Sequence, residues 1–419
     1  TMASQELDLT ICEHPISAQP PPVVELRRNR DYLLLLGGQA ISSTGSRISQ
    51  LAFPLLVLAV THSPLVTGLI TALRAVPYMF LALPAGALVD RWDRKRTMWL
   101  CDAGRAIAIG SIPVTLALGR LTLWQLGIAT LIEGTLFTFY NMAESASVPR
   151  VVAPGQIASA TSQGVVVDNI TGFIGPAVGG VLFSLNALVP FVTDAVSYVA
   201  SVLSLRWIRT EFQAPRATAA KTRLWDDMRE GITWLWGQPV MRFVAFLTGG
   251  LMLFSSGYPL IVIVFAKQLH ASDVTIGVLF ATGAAGGIIG ALLADVLNRR
   301  FRFGQIMVPV TWLWALEWLI YPFVHSLWLL ALANFLGFMI VPMYLVTQYA
   351  YRLQRIPDHL QGRVNSVFRL IAFGAEPLSL AMTGALLQWL GPAATVVVIA
   401  LPQIALSVVV TAYPRLRRE

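Results

Sequence analysis

Charge is scarce in this sequence. Only 12% of the 419 residues are Asp, Glu, Lys or Arg, about half of the roughly 25% usual in soluble domains. With 56% apolar residues and a mean hydropathy of +0.66, a soluble globular chain is excluded. Cysteine is nearly absent. Cys12 lies in a polar stretch and Cys101 in an apolar run, so neither a disulfide framework nor a thiolate metal knuckle is expected. Histidine is sparse, and His14, His62, His270, His325 and His359 fall in the tail or in connections. There is no G-x-x-x-x-G-K-S/T phosphate loop and no H-E-x-x-H pair. The run Gly283, Gly286, Gly287, Gly290 follows no strand and sits in an apolar segment, where close helix packing explains it better than nucleotide binding. Catalytic residues, cofactor and metal are therefore all expected to be absent.

What the sequence has is long apolar runs. Residues 1–26, with Pro20-Pro21-Pro22, read as a disordered tail. No cleavable signal peptide is expected, because the first apolar run is too long and lacks a small-residue cleavage pattern. Twelve spans of membrane length follow, at roughly 31–60, 65–89, 97–118, 122–146, 157–185, 188–207, 240–266, 274–297, 305–324, 327–350, 363–390 and 393–413. The fold class is all-α integral membrane.

The net charge of +8 does not point to nucleic acid, because the basic residues sit between apolar runs. Placing both termini inside leaves Arg27, Arg28, Arg30, residues 91–96, Arg150, Arg299, Arg300, Arg302, Arg352, Arg355, Arg363 and residues 415–418 on one side. Essentially Arg120 and Lys267 remain on the other. That asymmetry fits the positive-inside rule, with cytoplasmic termini in a cell (inner) membrane.

Residues 208–239 divide the chain into an N-terminal half, 27–207, and a C-terminal half, 240–419. Trp225, Met228, Ile232 and Leu235 recur at helical spacing in this linker. They read as an amphipathic helix on the inner surface or under the bundle, with a plain tether as the alternative. The halves repeat. An offset of 205 carries Asp90, Arg94 and Lys95 onto Asp295, Arg299 and Arg300, Arg150 onto Arg355, Gln156 onto Gln361, and Gly179 onto Gly384. A parallel six-plus-six duplication follows, with a substrate site between halves near the midplane.

Two motifs stand out. Gly86-Ala-Leu-Val-Asp90-Arg91-Trp92-Asp93-Arg94-Lys95-Arg96 is a cationic turn between spans, with Gly86 on the helix face of Asp90, where a second helix is expected to approach. Gly172-Phe-Ile-Gly175-Pro176-Ala-Val-Gly179-Gly180 makes a narrow small-residue face broken by a proline. The first resembles the loop between helices 2 and 3 of major facilitator superfamily (MFS) transporters. The second resembles the G-x-x-x-G-P-x-x-G-G signature of MFS exporters, and the span 11 counterpart, 377–384, lacks Gly-Pro. Ser43-Thr44-Gly45, the Thr61–Pro64 turn, Arg74 and Pro77 narrow the likeness to the macrolide-efflux and siderophore-export subgroup. Many relatives carry an acidic residue after Gly45, and this chain has Ser46. The resemblance implies two pseudo-symmetric six-helix halves. It also implies a gating latch at Gly86, Asp90, Arg91 and Arg94, with Asp90 more important than Asp295.

Polar faces mark the expected path. Span 1 carries Gln39, Ser42, Ser43, Ser46, Arg47 and Gln50. Span 4 carries Glu133, Phe137, Tyr140, Asn141 and Glu144. Span 7 is poorer, with Ser255, Ser256 and Tyr258, and span 10 carries Asn334, Phe338, Tyr344, Thr347 and Gln348. In the MFS fold these four spans line the cavity, so Gln39, Ser43, Arg47, Gln50, Tyr140, Asn141, Tyr258, Asn334, Tyr344 and Gln348 are expected there. Intramembrane carboxylates are costly and tend to face a cavity or a partner. Glu133, Asp168 and Glu376 are the proton-coupling candidates, in that order, with Arg47, Arg74 and Arg369 as counter-charges. Glu317 ranks lower because span 9 is peripheral, and Asp102 and Arg105 are assigned to the charge network of the loop. The expected function is secondary active transport, as a proton-coupled antiporter exporting amphipathic small molecules by alternating access, and as a monomer. An uptake symporter or uniporter is the alternative, and a membrane enzyme or non-transporting receptor a distant third.

Overall fold

The computed structural model describes residues 25–89, 91–213, 224–357 and 360–418. Residues 1–24 of the tail expected at 1–26, and Asp90, lie outside them, while Leu26 departs from that expectation by opening a short 3-10 helix, Leu26–Arg28, with its side chain buried. Every regular element described is helical: α1 (Arg30–Thr61), α2 (Pro64–Val89), α3 (Arg94–Ala117), α4 (Leu123–Val151), α5 (Ile157–Leu185), α6 (Val189–Trp207), α7 (Leu224–Gly237), α8 (Pro239–Ser255), α9 (Tyr258–Gln268), α10 (Asp273–Arg300), α11 (Phe303–Glu317), α12 (Leu327–Arg355), α13 (Gln361–Phe373), α14 (Glu376–Ala412) and α15 (Pro414–Arg418). Side-chain oxygens cap several starts. Asn29 accepts from Tyr32 N, Asp93 from Arg96 N, Thr122 from Gln125 N, Ser272 from Thr275 N and Ser326 from Leu329 N. These caps satisfy donors that have no partner inside the helix.

Among the described residues, eight helical stretches are long and apolar enough to cross a membrane. The last, Arg363–Ala412, is 50 residues, about 75 Å of helix against a hydrocarbon core of about 30 Å. It divides at Gly391, whose φ of 73 no helix accommodates. α1, α4 and α6 do not qualify. All three carry stripes of polar side chains, which lower their hydropathy for reasons given below. Large apolar residues cover the outside, among them Phe80, Ile107, Leu292 and Leu401. Trp124, Trp328 and Trp389, exposed by 84, 88 and 73%, sit near one end of their helices, as interfacial aromatics do. The chain is thus a multi-pass integral membrane protein.

Small residues set the packing. α1 lies on α6 because Gly38 and Gly45 face Ser204 and Ser197. A Cβ on Gly45 would come within 2.1 Å of the Ser197 oxygen. In the second half, Gly283, Gly286 and Gly290 seat α10 on α12 against Asn334, Phe335 O and Met339 O. α7 packs on α13 and α8, with Leu235 buried and Gly231 against Arg363 O; the side chains of Trp225 and Met228 lie outside those described.

The two sets of helices meet chiefly through α2 on α14 and α5 on α10. Both crossings are glycine on glycine. A Cβ on Gly68 would stand 2.9 Å from Gly384 Cα, and one on Gly180 would stand 2.6 Å from Gly277 Cα. The contacts are pseudo-symmetric copies: Gly68 maps to Gly277 at an offset of 209, and Gly180 to Gly384 at 204. His62 after α1 and His270 after α9 repeat the pattern at an offset of 208, both with left-handed backbone (φ 51 and 57). All these residues lie at one end of the bundle, where Ser63 Oγ also donates to Gln388 Oε1 at 2.8 Å. The opposite end, bearing residues 91–96, is open between the sets. Gly86, about 27 Å along α2 from Gly68, has nothing within 4 Å of a Cβ position. The helix approach expected there is absent in this conformation because the two sets diverge toward that end.

Candidate functional site

Between the two sets lies a cavity of about 540 Å³. α1 gives it one polar wall: Gln39, Ser43, Arg47 and Gln50 all face it, with Arg47 donating to Gln50 Oε1 at 3.1 Å. α4 contributes Glu133, Tyr140, Asn141 and Glu144, and α5 contributes Asp168. Tyr78 and Phe137 add aromatic surface.

Glu133 is the centre of an ion cluster, and the chain explains why. Gly134 beside it lets α4 approach α2 so closely that a Cβ would stand 2.1 Å from Arg74 O. The same Arg74 then reaches Glu133 with Nε to Oε2 at 2.6 Å and a second nitrogen to Oε1 at 3.2 Å. From α3, Arg105 donates to Glu133 Oε1 at 3.0 and 3.3 Å and to Asp102 Oδ1 at 3.2 Å. Its guanidinium lies 4.1 Å from the Tyr198 ring centroid. Asp102 and Arg105 therefore belong to the Glu133 cluster, not to the loop. Two guanidiniums against two carboxylates make it charge-balanced, which is what burial demands. Arg74, 28% exposed against 2–3% for Arg105 and Glu133, is its cavity-facing edge.

Sequence spacing missed Asp194. It is fully buried on α6, accepts from Ser49 Oγ at 2.5 Å, and has its other oxygen within 2.9 Å of where a Gly45 Cβ would stand. Ser46 bonds Tyr198 and Arg105. The carboxylate beside this stretch of α1 thus comes from α6. Asp194, Ser197, Ser201 and Ser204 recur at spacings of 3, 4 and 3, a helical stripe that reveals them in retrospect.

The second set lines the cavity in part with other residues than the sequence led one to expect. Tyr258, Asn334, Tyr344 and Gln348 pack inside the C-terminal helices. Tyr258 O–H donates to Asn334 Oδ1 at 2.8 Å, Tyr344 shares a hydrogen bond with Thr248 at 2.8 Å, and Asn334, Tyr344 and Gln348 are buried. In their place stand Ser256, on the expected face of span 7, Glu376 and Arg369, expected as coupling carboxylate and counter-charge, and the unexpected Pro259, Leu260, Phe373 and Leu380. These cluster at two helix breaks, Ser256–Gly257 between α8 and α9 and Gly374–Ala375 between α13 and α14. Gly257-Tyr-Pro259 and Gly374-Ala-Glu-Pro377 are the sequence signals: a glycine followed within three residues by a proline. The breaks touch, since Gly257 N donates to Ser379 Oγ at 3.2 Å. Glu376 and Asp168 line the cavity without an ion pair among the described residues.

The motif glycines divide their work. Gly175 and Gly179 seat α5 on α1 at Arg47 and Ile48, and Gly180 seats it on α10. Gly172 touches nothing within 4 Å. In the basic loop, Arg94 donates to Ala146 O at 2.8 Å and Phe212 O at 3.4 Å, and Lys95 to Ile208 O at 2.5 Å. These side chains strap residues 208–213 under their own half. Arg91 is exposed at the loop's turn.

A bundle of membrane helices in two related sets, closed around a polar cavity at one end and open at the other, is the architecture of a secondary transporter. Residues 28–419 match the family described as "Transmembrane secretion effector", and the chain belongs to that family, within the major facilitator superfamily. It is similar to the multidrug efflux pump Tap of Mycolicibacterium fortuitum, 26% identical over 92% of this chain and 96% of that protein. It is also similar to the macrolide efflux protein A of Streptococcus pyogenes, 25% identical over 84% and 88%. Among solved structures, the nucleoside transporter NupG superposes with a TM-score of 0.72 at 11% identity, covering 91% of this chain and 98% of that one. An inward-facing bacterial homologue of the iron transporter ferroportin gives 0.71 at 17% identity, covering 90% and 98%. The matched families are transporters, not enzymes, and this chain moves small molecules across a membrane.

Proposed function

We propose that this protein is a proton-coupled antiporter that exports amphipathic small molecules from the cytoplasm. The observation that carries this is the cavity: closed at one end by the two glycine crossings, open at the basic-loop end, and walled by aromatic rings, hydroxyls and carboxylates. By the positive-inside rule the basic end is cytoplasmic, so the conformation is inward-open, ready to load a cytoplasmic solute. Twelve spans in two six-helix halves, 27–207 and 240–419, with 208–239 as a cytoplasmic linker, account for the pseudo-symmetric contacts. α1, α4 and α6 cross the membrane with their polar faces turned inward, and Arg363–Ala412 crosses twice. The protein works as a monomer in the cell membrane, with both termini inside, and needs no nucleic acid, metal or cofactor. The efflux names of its relatives support outward direction.

Asp168 and Glu376, with Glu144 beside them on the wall, are carboxylates open to a proton or a cationic solute in this state, while Glu133 is tied to two arginines. One proton entering down 100 mV supplies roughly 2.3 kcal/mol, enough for about a 50-fold gradient of a neutral solute. The test is accumulation of fluorescent amphipathic substrates in cells with and without the protein. Expression should lower accumulation, and a protonophore should abolish the difference. Raised accumulation on expression would instead identify an uptake transporter.

A further inference from the structure

Glu317 ends α11 and is 5% exposed. Its Oε1 has no hydrogen-bond donor, and no Lys or Arg nitrogen lies within 4 Å of the carboxyl among the described residues. It lies flat on Gly337 of α12, where a Cβ would come 2.8 Å from Oε1. The charged groups on the elements around it are remote or engaged. Lys267 of α9 is paired with Asp273 at 2.6 Å. Arg352 and Arg355 stand fifteen or more residues along α12 from Gly337, about 22 Å. Glu376 is the one charged residue on α14. α10 carries Asp273, Asp295, Arg299 and Arg300 at its ends, and α15 lies at the far end of α11. A carboxylate here would have no counter-ion, which burial penalises heavily.

The hydrogen bonds around it have only one consistent direction. Asn334 Nδ2 donates to Leu279 O at 2.5 Å, so its Oδ1 faces Tyr258 and accepts from Tyr258 O–H at 2.8 Å. The Tyr258 hydroxyl, having given its hydrogen to Asn334, must accept from Tyr321, 2.5 Å away. Tyr321 has then spent its own hydrogen on Tyr258 and has none to give the neighbouring Glu317 carboxyl. With Oε1 unpartnered, a carboxylate here would lack both a donor and a counter-ion, which favours the neutral acid.

We propose that Glu317 is a proton-binding site inside the C-terminal half, connected by Tyr321 and Tyr258 to the helix break at Ser256–Gly257 on the cavity wall. Release runs the chain backward. The carboxyl proton passes to Tyr321 oxygen, the Tyr321 proton to Tyr258 oxygen, and the Tyr258 proton, held by Asn334 Oδ1 in this state, to a water that enters when the Ser256–Gly257 break opens. Each transfer breaks one O–H bond and forms another, and the net change is one proton moved from carboxyl to water. Tyr321 and Tyr258 then both point toward the carboxylate, and Asn334 Oδ1 loses its donor. Tyr258 is the first residue of α9 after the break, and its neighbours Ser256 and Pro259 line the cavity. Protonation of Glu317 thereby reports to the wall that the substrate touches. A role for this site in driving transport rests on the antiporter function proposed for the chain; the site itself does not.

The test is infrared difference spectroscopy of the full-length protein in lipid, titrated with pH and read at the carboxylic C=O stretch. The wild type should show a protonated-carboxyl band that disappears in Glu317→Gln and shifts in Tyr321→Phe, which removes the acceptor. Gly337→Ala, which crowds the carboxyl, should shift it too. Tyr321→Phe and Gly337→Ala keep the test alive should Glu317→Gln fail to fold. A spectrum unchanged by all three variants overturns the proposal, as does a Glu317 carboxylate that stays ionised across the titration and responds to sodium instead. In transport, Glu317→Gln should keep substrate exchange at equal concentrations within twofold while losing tenfold or more of gradient-driven export. Wild-type export that ignores the proton gradient would end the antiporter reading, and the infrared band would still decide whether Glu317 holds a proton.

Discussion

Glu133 illustrates how a residue can be placed by pattern and then acquire its meaning from neighbours far away in the chain. Its spacing with Tyr140, Asn141 and Glu144 puts it on one face of α4, and that much is readable from the periodicity of a helix. Its two arginines come from α2 and α3, 59 and 28 residues away, and no spacing rule names them. The pairing converts a free carboxylate into the keystone of a balanced cluster. Removing one member of a buried ion pair costs on the order of 3–5 kcal/mol, because the partner charge is left behind. Glu133→Gln should therefore lower the thermal unfolding temperature and abolish export together. Adding Arg74→Gln should recover part of the stability, because Arg105 then keeps Asp102 and no guanidinium is left unanswered. Scanning fluorimetry of the four proteins of this cycle gives the coupling directly. Strict additivity of the two losses would show that the pair contributes nothing beyond its members. Asp194 invites a simpler comparison. Asp194→Asn still accepts from Ser49, so it should unfold within a few degrees of the wild type, while Asp194→Leu, which leaves Ser49 only Ser46 O at 3.2 Å and crowds the Gly45 contact, should unfold well below it.

At the scale of the helix, the sequence was most legible where composition is monotonous and least where helices are interrupted. Hydropathy locates α2, α3, α5, α10 and α12 within a few residues of their observed ends, because apolar runs of about 20 residues have few alternatives in lipid. It underrates α1, α4 and α6, whose polar stripes turn toward one another and toward the cavity. It is blind to the breaks at Ser256–Gly257 and Gly374–Ala375, which lie inside otherwise apolar runs. The break at Ser256–Gly257 brings Ser256, Pro259 and Leu260 to the wall in place of Tyr258, and the residues around Gly374–Ala375 cover the wall where Asn334, Tyr344 and Gln348 of the unbroken α12 were expected. The glycine motif of α5 can be tested one position at a time. Gly180 opposes Gly277 on the other set of helices, whereas Gly172 faces open space. Gly180→Val should prevent the two sets from closing and reduce export at least tenfold at matched expression, and Gly172→Val should leave it within about twofold. Similar losses for the two substitutions would mean that the motif acts through helix bending around Pro176 and not through contact between the sets.

For the whole molecule, the glycine crossings amount to a gate that the pseudo-symmetry builds twice, at α2 with α14 and at α5 with α10. Alternating access requires both crossings to part when the basic-loop end closes. Ser63 and Gln388 meet across the same closed end, with Ser63 Oγ 2.8 Å from Gln388 Oε1, and side chains there avoid the backbone that a Cβ at Gly68 or Gly384 would strike. In a background with Cys12 and Cys101 replaced by serine, Ser63→Cys with Gln388→Cys should be joined by a short, reducible bifunctional thiol reagent. The cross-linked protein should bind substrate from the basic-loop side, since the cavity stays open there, yet transport none of it. Reduction should restore export to the level of the untreated double variant. A cysteine at Ser43 on the cavity wall sharpens the reading. Its labelling by a membrane-impermeant thiol reagent should persist in inside-out vesicles of the cross-linked protein and vanish in right-side-out ones. The basic end being cytoplasmic is what fixes that order, so labelling in the opposite vesicles would reverse the orientation, and undiminished export by the cross-linked protein would show that the glycine crossings never separate during transport.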